Sequence, residues 1–191
     1  MYPTFTARGD RIKETQKSVT INPGAAASIT YALFYVKGVV KVERLYGVFT
    51  VVVDSTKVDK CYFDMGDDND PAAQEYLSES PATGACDCSG AGVGDLVLRV
   101  DTASALSFLT VFPSGPGASV IEGKSTPIQL AVPPVLAAAE ADKITIGFGL
   151  LPDADTDVTI EFFCHWRAIS SSGAVLPGTG AALTNRKYII L

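Results

Sequence analysis

The stretch Asp157–Pro177, DVTIEFFCHWRAISSSGAVLP, limits the choice of fold more than any other part of this chain. Val158, Ile160, Phe162, Cys164 and Trp166 occupy every second position. Asp157, Thr159, Glu161 and His165 fill the alternate ones, with Phe163 the single apolar exception. Side chains alternate across a strand, so this spacing sends one face into a core and the other towards water. Such a segment is expected as a long antiparallel strand of a β-sandwich or barrel.

Further segments read as strands: Ser18–Ile21, Ile29–Val36, Val39–Val53, Asp95–Val100, Leu106–Phe112, Ile128–Val132, Lys143–Leu150 and Lys187–Leu191. They are rich in β-branched and aromatic residues and are separated by Gly- and Pro-containing turns such as Asn22-Pro23-Gly24. In Val39–Val53 the alternation slips at Arg44–Leu45, as a β-bulge would cause. Strands at these intervals favour an all-β antiparallel sandwich, jelly-roll-like. Pro71–Leu77 and Val135–Ala141 could each turn once or twice as helix. Asp64–Gly94, acidic and rich in Gly and Ser, reads as an irregular loop insertion. At 191 residues, with 47% apolar and 19% charged residues and no low-complexity linker, residues 18–191 form one domain. No run reaches the 18 or so apolar residues of a membrane helix, and MYPTFTARGDRIKETQ has no apolar core of a secretory signal.

Two segments look like a known family. Cys164-x-Trp166-Arg167 followed by a Ser-rich Gly173-x-Val175, and Gly38–Thr50 (GVVKVERLYGVFT), resemble strands of small structural proteins encoded beside tailed-phage capsid genes. The resemblance implies a virion structural protein that decorates or cements the capsid surface, without catalysis or cofactor. Its partners would be the major capsid protein and copies of itself, a trimer being favoured by the resemblance alone. A tail, baseplate or fibre-head component would carry the same marks. An alternative of another class is a carbohydrate-binding module, for which Tyr62, Phe63 and Tyr76 are the aromatic candidates near the acidic loop.

The net charge of −6 disfavours a nucleic-acid partner, because neutralising phosphates needs clustered Lys and Arg. Charge is uneven, however. Residues 1–20 hold Arg8, Arg11, Lys13 and Lys17 against Asp10 and Glu14, a local +2 that leaves −8 for the remainder. Residues 1–17 show no apolar periodicity and read as an extended arm docking outside its own sandwich. Tyr2 and Phe5 would anchor it, while Arg8, Arg11, Lys13 and Lys17 face a partner's carboxylates.

Chemical motifs fail on context. Ala118–Ser125 fits the loosest phosphate-loop spacing, yet Pro127 stands where the required helix would run. Asp64, Asp67, Asp68 and Asp70 are dense enough to interest Ca²⁺, but Gly66 precedes the acidic trio instead of following it, and a solvated loop is expected. Arg8-Gly9-Asp10 is a three-letter match of the kind chance supplies. His165 is the only histidine, and no Gly-x-Ser-x-Gly elbow occurs. Gly90, Gly92 and Gly94 lack the spacing of a dinucleotide loop. Cys86-x-Cys88 is too tight for a zinc half-site, and Cys164 falls on the inward phase as a small hydrophobe. Cys61 flanks the same loop as Cys86 and Cys88, so a disulfide to either is within reach, although nothing in the sequence calls for an oxidising compartment.

Overall fold

The computed structural model describes residues 11–21, 29–51, 60–67, 70–77, 86–87, 91–101, 107–112, 129–130, 135–137, 143–151 and 158–183. Thirteen strands and no helix occur among them. In chain order they are β1 (Lys13–Ile21), β2 (Ile29–Lys37), β3 (Val39–Phe49), β4 (Lys60–Asp67), β5 (Asp70–Tyr76), β6 (Cys86–Asp87) and β7 (Leu96–Asp101). There follow β8 (Ser107–Phe112), β9 (Gln129–Leu130), β10 (Val135–Ala137), β11 (Ile144–Leu151), β12 (Val158–Ala168) and β13 (Ala174–Pro177).

Two antiparallel sheets face each other, so the chain is an all-β sandwich. Sheet A runs β1-β12-β3-β7-β8, with β10 beside β3 and β9 beside β7. Sheet B runs β13-β2-β11-β4-β5, with β6 beside β4. The main pairings nest: β1 with β12, β2 with β11, β3 with β7 and β4 with β5. The chain therefore behaves as one long hairpin centred on β4–β5, whose successive rungs fall alternately into sheets A and B.

The alternation in β12 is the one read from its sequence. Val158, Ile160, Phe162, Cys164 and Trp166 are all buried, as are Ile146 and Phe148 of β11. Phe162 from sheet A meets Phe63 and Phe148 from sheet B, with ring centroids 6.1 and 4.8 Å away, and Phe63 and Phe148 lie 5.4 Å apart. Such a trio locks the sheets face to face, since each aromatic pair contributes about 0.5–1.5 kcal/mol beyond its area. The slip expected at Arg44–Leu45 falls one residue earlier. Arg44 pairs with His165 and Val42 with Trp166, which leaves Glu43 as the extra residue of the bulge.

Several boundaries differ from the sequence reading. β1 begins at Lys13, so Lys13–Lys17 belongs to the sandwich and not to an arm. Its inward phase is weak to the eye, because Thr15 and Lys17 hold positions where an apolar residue would be expected. The proposed loop at Asp64–Gly94 starts inside β4 and contains β5 and β6. Pro71–Leu77 and Val135–Ala141 are not helical where described: the first is almost wholly β5, and the second opens with β10. Pairing with a neighbouring strand overrides the local preference of so short a segment. The strand expected at Lys187–Leu191 lies outside the described residues, as do Tyr2, Phe5 and Arg8.

Candidate interaction surface

The ends of β2, β12 and β4 and the starts of β3, β1, β13 and β11 all lie at one end of the sandwich, because the register pairs Lys13 with Trp166, Ala168 with Val40, and Ile144 with both Val36 and Asp67. This end is built rigidly. Gly38, with φ of 58°, makes the β2–β3 turn in the left-handed region that favours glycine, and an added Cβ would crowd the hydroxyls of Ser170 and Ser172. The Val39 amide donates to Ser170 Oγ at 2.9 Å, and the amides of Ile169 and Ser170 donate back to the Val39 carbonyl. Two connections are thereby fastened to each other, which explains why Ser-rich residues follow the β12 strand.

On this braced corner large apolar side chains face outwards. Ile12, Val135 and Ile169 are 53%, 58% and 57% exposed, and Leu176 on β13 is 41% exposed. Cations accompany them: Arg11, Lys13 and Lys37 are exposed, and Lys41 and Arg167 are half-buried. Glu43, the bulged residue, holds Arg167 at 2.8 Å and Lys41 at 3.6 Å. Glu14 is the other carboxylate beside these five cations, and Asp67 and Asp70, paired in register at the β4–β5 turn, lie at the same end of the sandwich. Exposed apolar groups rimmed by charge are what protein-binding patches present.

Beside it, the outer face of sheet A carries an aromatic row. Tyr46 stacks on Phe163 with centroids 4.9 Å apart and planes 11° from parallel, and the His165 ring meets Tyr46 edge-on at 5.7 Å. His165 Nε2 lies 2.8 Å from Glu14 Oε2, tying β12 to β1. Desolvation by burial, followed by the Glu14 charge, raises the Tyr46 phenol above its ordinary range, so it stays protonated at neutral pH. His165 thus has a structural partner and an aromatic neighbour on the outer face of β12, which lies between β1 and β3.

The residues named for partner binding divide. Arg11 is exposed and available. Lys13 and Lys17 make contacts inside their own domain. The Lys13 amine sits 4.8 Å above the Trp166 ring, and Lys17 donates to the Thr179 carbonyl at 3.0 Å. The surface residues Ile12, Val135 and Ile169 were missed. An isolated exposed aliphatic has no sequence signal, and only the topology gathers them.

The carbohydrate candidates are not a platform. Tyr62 and Phe63 are 1% and 0% exposed, packed inside sheet B, and the side chain of Tyr76 lies outside the described residues. The acidic run is likewise not a solvated loop throughout, since Asp64 is buried within β4. Among the described residues no three His, Cys, Asp or Glu side chains gather as metal ligands. Ala118–Ser125 lies outside them. Cys164 is a buried small hydrophobe whose thiol desolvation pushes up to about 12. We expect native protein to leave Cys164 unmodified by iodoacetamide at neutral pH and unfolded protein to expose it, as peptide mapping would show.

No protein-family model, curated protein or solved structure matches the chain. Its class is therefore defined by the fold itself: a two-sheet antiparallel sandwich with exposed apolar side chains at one end.

Proposed function

We propose that this chain is a virion structural protein that decorates or cements a phage capsid through protein–protein contacts, and that its sandwich is a jelly roll. The observation that carries the reading is the nested strand order, β1-β12-β3-β7 against β2-β11-β4-β5. An eight-strand core of this kind is the double-sheet arrangement that recurs in viral capsid and lectin domains. That warrant is fold-level analogy. The exposed Ile12, Val135 and Ile169 favour protein contact over sugar binding, which would need exposed aromatics in place of the buried Tyr62 and Phe63. The resemblance of Gly38–Thr50 and Cys164–Val175 to capsid-associated proteins points the same way. Self-association, a trimer by that resemblance, and docking on the major capsid protein would both use the apolar end.

Co-sedimentation with capsid shells of the encoding phage, beside native mass measurement, tests this. We expect oligomers and capsid binding; a 20.0 kDa monomer that leaves shells bare would overturn the proposal. Ile169→Asp should weaken association about tenfold or more, the effect of losing a central apolar contact, while leaving the unfolding midpoint in place. The arm reading moves to residues 1–12. Removing those residues should leave a folded domain with poorer capsid binding. Removing residues 1–17 should also destabilise it, because Thr15, the buried partner of Trp166, leaves with the first half of β1.

A further inference from the structure

We propose that Cys61 and Cys86 are a disulfide-forming pair that fastens β6 to β4. The inference is independent of the capsid role. In the antiparallel β4–β6 ladder, Cys61 is the direct partner of Cys86, and Lys60 of Asp87. Residues directly opposite in such a ladder share a face and have Cα atoms about 4.5–5.5 Å apart, inside the window of about 4.4–6.8 Å that a disulfide spans. The register therefore separates two candidates that the sequence left equal. Cys86 faces Cys61 across the ladder, whereas Cys88 lies two residues further along the chain.

The placement also gives the bond a purpose. β6 is two residues long and joins the edge of β4 beside β5. Two residues of ladder hold a segment weakly, and a covalent link there closes a loop that contains the whole β4–β5 hairpin. Cys61 itself is a fully buried thiol on the core side of β4. In this scheme Cys86, carried on the shorter of the two strands, makes the first attack on the oxidant.

The oxidant is a low-molecular-weight disulfide such as oxidised glutathione. Cys86 thiolate attacks one of its sulfurs, forming a mixed disulfide and releasing one glutathione thiolate. Cys61 thiolate then attacks the Cys86 sulfur, which forms the protein disulfide and releases the second thiolate. Two protein thiols are oxidised, one glutathione disulfide is reduced to two thiols, and the two protons pass to them.

The test incubates the full chain with oxidised glutathione and maps peptides without reduction. We expect a protein lighter by two hydrogens, a single Cys61–Cys86 cross-linked peptide, and a thermal midpoint that falls by about 6–12 °C on reduction. Cys88→Ser should keep the bond and Cys86→Ser should abolish it, and circular dichroism checks that each variant folds. Four titratable thiols after oxidation, or a Cys61–Cys88 link in place of Cys61–Cys86, would overturn the assignment.

Discussion

Trp166→Ala is expected to lower the unfolding free energy by about 3–5 kcal/mol, the range for removing a buried aromatic. The ring is 5% exposed and sits where β1, β12 and β13 converge. Its Nε1 donates to Thr15 Oγ1 at 2.9 Å, and that hydroxyl donates onward to the Val175 carbonyl at 2.9 Å. One relay thus ties β1, at the edge of sheet A, and β13, at the edge of sheet B, to β12. Trp166→Phe should cost only about 1 kcal/mol, since Thr15 keeps its acceptor and most apolar area remains. Thr15→Val should cost more, about 1–3 kcal/mol, because it strands the indole N–H without a partner. Urea unfolding of the three variants orders them. A Trp166→Ala loss below about 1 kcal/mol would show that the ring is not part of the core.

Gly149→Ala is expected to cost about 2–6 kcal/mol, a large effect for one added methyl group. Gly149 of β11 pairs with Thr30 on one side and Tyr62 on the other. The Tyr62 ring lies directly over it, so an added Cβ would overlap the ring and its hydroxyl. That hydroxyl is hydrogen-bonded to Thr30 Oγ1 at 2.8 Å in the buried interior. The ring cannot move aside without breaking the bond, so overpacking of about 1–3 kcal/mol combines with an unsatisfied buried group of similar cost. Combining Gly149→Ala with Tyr62→Leu should recover about 0.5–3 kcal/mol relative to the sum of the single losses. Strict additivity in denaturant unfolding would mean that the two residues do not touch.

Where each strand buried its own alternating face, the sequence was readable. Val158 to Trp166 shows its phase directly, and the bulge near Arg44 was visible as a slip in the alternation. β4 and β5 were hidden for a physical reason: Asp64 is buried on β4, and Asp67 and Asp70 face each other in register, so their charge imitates a loop. β1 was cut short because Thr15 and Lys17 fill inward positions with polar groups whose partners lie about 160 residues away. The exposed apolar residues around Arg11 come together only through pairings no local pattern encodes.

The pairing of Lys13 with Trp166 also sets a timetable for synthesis. β1 leaves the ribosome well before β12, its strand partner among the described residues, which follows some 150 residues later. At about 5–20 residues per second the wait is roughly 8–30 s, during which sheet A lacks its neighbour for the nascent strand. Contacts so distant along the chain slow the final folding step as well. The composition of β1, KETQKSVTI, suits that interval, being polar and charged over most of its length. An apolar strand left waiting would invite pairing with other nascent chains, and this one carries two lysines of the kind that keep edges apart.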